Sequence, residues 1–109
     1  MIKSELNIFF VHGWGFDKNF WTPLIEEFQL LNLKKKFNFF LFDLGFFGEK
    51  INPVVDEFSK NNIFIVHSYG FNWLIKKKIK CEIIINFCGL PVFIGKKDIF
   101  KKKKKFLTL

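Results

Sequence analysis

The sequence contains no arginine and no alanine, and its absences narrow the field before any motif is considered. All eighteen basic residues are lysine, set against ten acidic ones, for a net charge of +8. Arginine is the commonest side chain reading base edges, and no nucleic-acid-binding motif is present, so nucleic acid is not an expected partner. The codons of Phe, Ile, Asn and Lys are rich in A and T. The lysine excess therefore reads first as compositional drift on a solvated face. Its second reading is a field that steers an acidic partner. Cysteine occurs twice, at Cys81 and Cys88, without CxxC spacing; both read as reduced core thiols, and no metal or cofactor is expected. No apolar run approaches the roughly 18 residues of a membrane helix. The opening run Ile8–Val11 is too short for a signal peptide. The expectation is a cytoplasmic chain without a membrane partner.

What is present is apolar material in quantity. Half of the 109 residues are hydrophobic and eighteen are Phe, enough for a core and more than so short a chain can cover. The length allows one domain at most, or part of a larger one. Asn7–Val11, Phe37–Phe42, Ile63–Val66 and Cys81–Phe87 are continuous apolar runs, as expected of strands buried on both faces of a parallel sheet. Between them, Asp17–Leu31 carries Phe20, Trp21, Leu24, Ile25, Phe28 and Leu31 at helical spacing, with Pro23 in its first turn. Asn52–Ser59 reads as a short helical piece. Phe71–Ile79 reads as a helix with Phe71, Leu74, Ile75 and Ile79 inward. Alternating strands and helices predict an α/β fold of about four mostly parallel strands with flanking helices. After residue 95 the composition changes to a lysine-rich tail. The expected organisation is a partial domain over residues 1–95 and a tail over 96–109, the latter reading as a possible frame-shift product of a poly-A tract.

The chemistry concentrates at Ile63–Gly70. An apolar strand runs into Val66-His67-Ser68-Tyr69-Gly70 and then directly into a helical segment. A serine on such a strand–turn–helix is the context in which a G-x-S-x-G turn has catalytic meaning. Val66 departs from that pattern by replacing its first glycine, and is expected to crowd the turn. The plain alternative is an ordinary turn in which Ser68 caps the helix. Upstream, His12-Gly13-Trp14-Gly15 follows the first strand, and its two glycines permit a tight bend with exposed N–H groups. Asp43-Leu44-Gly45-Phe46-Phe47-Gly48 forms a loop after the second strand, with Asp43 expected to fix it.

In this order, with Trp21 in the helix behind the first loop and Cys88-Gly89-Leu90-Pro91 after the fourth strand, these motifs resemble the N-terminal half of an α/β-hydrolase. Within that superfamily the chain is most similar to small carboxylesterases related to pimeloyl-acyl-carrier-protein methyl ester esterase of biotin synthesis. The resemblance implies hydrolysis of carboxylic esters, a small-molecule ester or acyl carrier protein as partner, and no cofactor. It makes Ser68 the nucleophile and the backbone N–H groups of Trp14 and Tyr69 the oxyanion hole, with Trp14 also contacting substrate. The superfamily supplies its acid and histidine after the serine, yet no histidine follows Ser68. His12 is expected to brace its loop, His67 to point away from the serine, and Asp98 to be a solvated charge more than a displaced triad acid. The implied chain is truncated, with acid and base missing. The competing reading is an inactive fragment or pseudoenzyme with at most a binding role, self-associating through an exposed edge at its fourth strand.

Overall fold

The computed structural model describes residues 5–31 and 36–87, together with the backbone of 105–108. Five strands form one parallel sheet: β1 (Glu5–Val11), β2 (Lys36–Phe42), β3 (Asn62–His67), β4 (Ile83–Phe87) and β5 (Lys105–Thr108), in the order β2-β1-β3-β4-β5. The first four are the apolar runs read from the sequence. The fifth comes from the lysine-rich tail, and β4 is consequently not an edge strand; the edges are β2 and β5. Cys88, Cys88–Pro91 as a motif, and Asp98 lie outside the described residues.

Side chains alternate across a strand, so each run feeds two cores. Phe9, Val11, Phe42, Phe64, Val66 and Ile84 line one face, covered by α2 (Tyr69–Lys77) through Phe71 and Leu74. Ile8, Phe10 and Ile65 line the other with Trp21, covered by α1 (Thr22–Leu30) through Leu24, Ile25 and Phe28. Phe rings stack across the strands, Phe9 lying 4.8 Å from both Phe40 and Phe64. The expected helix over 17–31 divides in two. Asp17 accepts from the Asn19 N–H at 2.9 Å and opens a 3-10 turn, Lys18–Trp21; Pro23 then sits in the first turn of α1.

The helical piece expected over 52–59 is not there. Val54 and Phe58 are almost fully exposed, and Val55 packs on the α2-side core without them, too little for an amphipathic helix face. Its short polar side chains bond locally instead. Asp56 Oδ1 accepts from Phe58 N–H and Ser59 Oγ from Asn61 N–H, the competition with helix that Asp and Ser offer. Cys81 is a buried thiol in the α2-side core, as read from the sequence.

One polar feature crosses the sheet near the strand starts. Asn38 Nδ2 donates to Asn7 Oδ1 and Asn7 Nδ2 to Asn62 Oδ1, both at 3.1 Å, and Asn62 Nδ2 donates to the Asp56 carbonyl at 2.7 Å. The parallel register puts the three asparagines side by side on β2, β1 and β3. A one-residue slip would separate them and turn each strand's faces over.

Candidate active site

At the other end of the sheet, where the strands finish, β3 passes into α2 with a single residue between them. That residue, Ser68, has φ 51° and ψ −119°, a backbone region that glycine tolerates and other residues enter only at a cost. Two contacts hold it there: Ser68 N–H donates to the Phe87 carbonyl at 3.0 Å, and Phe71 N–H donates to the Ser68 carbonyl at 3.1 Å. Its side chain makes no capping bond to α2, so Ser68 is not an ordinary N-cap. Val66, which stands where the pattern has glycine, is fully buried in the core with Val11, Phe42 and Phe71, and the turn forms around it.

The remaining glycine of the pattern is sterically required. A Cβ on Gly70 would lie 2.4 Å from the Val11 carbonyl oxygen and 2.8 Å from that of His12. The start of α2 therefore rests directly on the end of β1. Gly13 makes the reciprocal approach, since a Cβ there would meet His67 Nδ1 at 2.7 Å and the His67 carbonyl at 3.1 Å. These two glycines bring the His12–Gly15 loop beside the Ser68 turn. The importance of Gly13 could have been read from the same logic as Gly70, because both are small residues next to a reactive-type side chain.

Within the loop, Phe16 N–H donates to the Gly13 carbonyl at 3.3 Å and Gly15 has φ 80°. A left-handed glycine at the third position is the type II turn, which puts Trp14 at the second position. The Trp14 ring is 71 % exposed and packs edge-on against Phe46 at 5.8 Å. Phe46 in turn packs edge-on against His12 at 6.0 Å. Tyr69 is the first residue of α2, so its N–H is among those with no acceptor inside the helix and lies at the positive end of the helix dipole. Trp14, Ser68 and Tyr69 thus come from two segments that the glycine contacts hold together. Phe46, Phe47 and Phe16 add exposed aromatic surface nearby; the sequence pattern did not single them out, because Phe is everywhere in this chain.

The two histidines differ in state. His12 is fully buried. Its Nδ1 lies 2.8 Å from the Gly13 carbonyl, which can only accept, so Nδ1 carries the proton. Nε2 is then bare and accepts from Leu44 N–H at 2.9 Å. Both nitrogens brace the loops after β1 and β2, as expected. Asp43 lies beside the ring, 3.6 Å from Nε2. It accepts from Gly45 N–H at 2.9 Å and Lys18 N–H at 3.4 Å. Burial would raise the Asp43 carboxyl, but these backbone donors outweigh it and hold its pKa below the ordinary 3.8. Asp43 fixes its loop, as read from the sequence.

His67 turns to the α1 side of the sheet, stacks on Phe20 at 4.4 Å and meets Phe16 edge-on at 5.6 Å. Burial against these rings, with a smaller contribution from His12, holds its pKa below the ordinary 6.5. Its buried Nδ1 has no hydrogen-bond partner among the described residues. The described residues also contain no group of three metal-ligating side chains, and no helix among them is long and apolar enough to cross a membrane.

No family model matches the chain, and no solved structure matches it. Curated relatives do. The alignments cover 90 % of this chain and 52 % of each relative, so the chain spans about half the length of the curated relatives it matches. With 31 % identity to the protein of Legionella pneumophila strain Corby and 28 % to those of strains Lens and Paris, the chain is similar to pimeloyl-[acyl-carrier protein] methyl ester esterases.

Proposed function

We propose that this chain carries the nucleophile and oxyanion donors of a serine-dependent carboxylic ester hydrolase. One observation carries the reading: Ser68 is held at φ 51° and ψ −119° between β3 and α2 with its side chain uncommitted to the helix. A strained backbone persists only where its surroundings enforce it, and such sites are concentrated where chemistry is done. In the proposed reaction Ser68 Oγ attacks the ester carbonyl as a base takes its proton. The N–H groups of Trp14 and Tyr69 hold the developing oxyanion, each worth about 2.7–4 kcal/mol in comparable sites. Collapse expels the alcohol and leaves an acyl-serine, which water hydrolyses to the acid and free Ser68.

The acid and base of the triad are proposed to lie on polypeptide beyond this chain. No histidine follows Ser68, His12 has both nitrogens engaged, and His67 is packed on Phe20. The names of the relatives favour a methyl ester on an acyl carrier protein as substrate; a place in biotin synthesis, in the cytoplasm, is proposed on the sequence resemblance. An acidic carrier would be drawn by the net charge of +8. Among the described residues, however, the exposed run Lys76–Lys78 closes the far end of α2 from Ser68. Lys18 and Lys50 stand at the Asp43–Gly48 loop beside the site, and carrier association should weaken as salt is raised.

The same histidine geometry favours a second reading, an inactive remnant with at most a binding role. Hydrolysis of a short-chain aryl ester by the wild-type chain and by Ser68→Ala separates the two. With imidazole supplied as the external base, the hydrolase reading requires a rate above the imidazole background that Ser68→Ala abolishes. Equal rates for both proteins would leave only the remnant.

A further inference from the structure

His67 takes no part in the proposed reaction, yet it stands where the two segments of the site meet. Its ring lies on Phe20, with centroids 4.4 Å apart and planes at 21°, and meets Phe16 edge-on at 5.6 Å. The Nδ1–Cε1 edge faces Gly13 so closely that a Cβ there would lie 2.7 Å from Nδ1 and 3.1 Å from Cε1. One imidazole therefore touches both ends of the segment 13–16 and the 3-10 turn Lys18–Trp21 that follows it.

That segment has little else to hold it. Trp14 and Phe16 are exposed, and a Cβ on Gly15 would meet nothing within 4 Å. A single hydrogen bond of 3.3 Å, from Phe16 N–H to the Gly13 carbonyl, closes the turn, and Trp14 adds an edge contact with Phe46. β3, by contrast, is paired on both sides, and Phe20 packs on the buried Trp21. A disturbance of the contact with His67 therefore moves the loop and not the strand.

The ring fits this seat in one charge state. Neutral, it can carry its proton on Nε2 and leave Nδ1 bare; as the cation it has N–H on both nitrogens. Nδ1 is buried without a partner among the described residues, so the added proton points toward Gly13 with no acceptor there. A buried unpaired donor is costly, and more so when charged. Stacking on Phe20 attracts a cation, but through the ring face, and it gives the proton at the ring edge nothing. The titratable groups on the surrounding described elements are His12, Asp17, Lys18 and Tyr69. Of these His12 bears on the His67 charge, and it opposes it. We propose that His67 is a positioning residue that works as a pH-sensitive latch: the neutral ring seats residues 13–16, and the imidazolium releases them and withdraws the Trp14 N–H from Ser68. The seating rests on these contacts alone; its consequence for Ser68 rests on the hydrolase reading above.

The test follows the rate at which a fluorophosphonate ester labels Ser68 in imidazole buffer across the neutral and mildly acidic range. The quantity read is the ratio of the wild-type rate to that of His67→Phe, in which the external base cancels. A Phe ring keeps an aromatic contact with Phe20 and cannot titrate. The ratio should be constant above about pH 6.5 and fall below it by up to about tenfold per pH unit, with circular dichroism showing both chains folded throughout. A ratio that does not change with pH would overturn the proposal, and so would a fall that only accompanies unfolding. If neither chain is labelled at any pH, the hydrolase reading fails, and the latch is still read from hydrogen exchange at Phe16 N–H. There the wild-type protection should hold above about pH 6.5 and fall below it, while that of His67→Phe should not change. A flat wild-type profile rejects the latch without any variant. Should His67→Phe not fold, His67→Leu takes its place in both measurements.

Discussion

Where the strands begin, the asparagine amides of the sheet satisfy one another; where they finish, the buried His67 Nδ1 has no partner among the described residues. At the first end the amides of Asn38, Asn7 and Asn62 hand hydrogen bonds from strand to strand and terminate on the Asp56 carbonyl. At the second, Ser68 is strained, the His67 Nδ1 is buried without a partner among the described residues, and Trp14 stands in solvent. The same strands, 62–67 and 5–11, make both ends, so the difference is not one of core quality. It shows how an α/β sheet can fix register at one end and carry its reactive groups outside the carboxyl ends of the strands. The satisfied end supplies the stability against which the strained end is held.

The comparison can be broken first at its junction. Gly70→Ala drives a methyl group into two carbonyl oxygens that cannot move independently of β1. The expected cost is about 3 kcal/mol, read as a lowered denaturant midpoint, together with loss of any Ser68 reactivity. Asn7→Ala attacks the quiet end. It strips the buried Asn62 Oδ1 of its donor and should cost about 2 kcal/mol in the same assay, with the residual protein keeping whatever reactivity Ser68 has. Ser68→Gly should act in the opposite direction. Relief of the positive φ outweighs the extra freedom of glycine in the unfolded chain, for a net gain of about 1 kcal/mol; Ser68→Ala, which keeps the strain, should show no such gain.

The smallest effect is in pH. His67 has a folded pKa below its ordinary 6.5, so the unfolded chain takes up the proton first as pH falls. Stability is complete above about pH 6.5 and declines from there through the lowered folded value. Asp43, also lowered, adds a second loss that begins near its unfolded value of 3.8 and continues as pH falls through the folded one. Denaturation midpoints of wild type and His67→Phe across this range should differ in slope below pH 6.5 and run parallel above it.

The strands and both helices were legible because their apolar runs are long and their ends are marked by Gly, Pro and lysine. The Ser68 turn and the Gly13–Phe16 turn were legible because glycine spacing around a reactive side chain has few other uses. Residues 52–59 misled, since a Pro followed by mixed apolar residues reads as helix until Val54 and Phe58 are seen to have nothing to pack on. β5 was hidden by composition: Lys105 ends a run of five lysines that reads as a solvated tail, and only the ladder to β4 shows Lys105–Thr108 as a strand. The asparagine ladder could not be read at all: positions 7, 38 and 62 share no local pattern, and only the sheet register makes them neighbours. Nor does sequence spacing tell that His12 spends both ring nitrogens on its own and a neighbouring loop.

The central claim is that Ser68 is a presented nucleophile and not a turn residue. It is tested most directly by incubating the intact chain with a fluorophosphonate ester in imidazole buffer, the imidazole standing in for the base proposed to lie beyond the chain, and locating the adduct by peptide mass spectrometry. The account predicts a single phosphonylated residue, Ser68, and no adduct in Ser68→Ala. A chain that stays unlabelled, or that is labelled equally in Ser68→Ala, would contradict it.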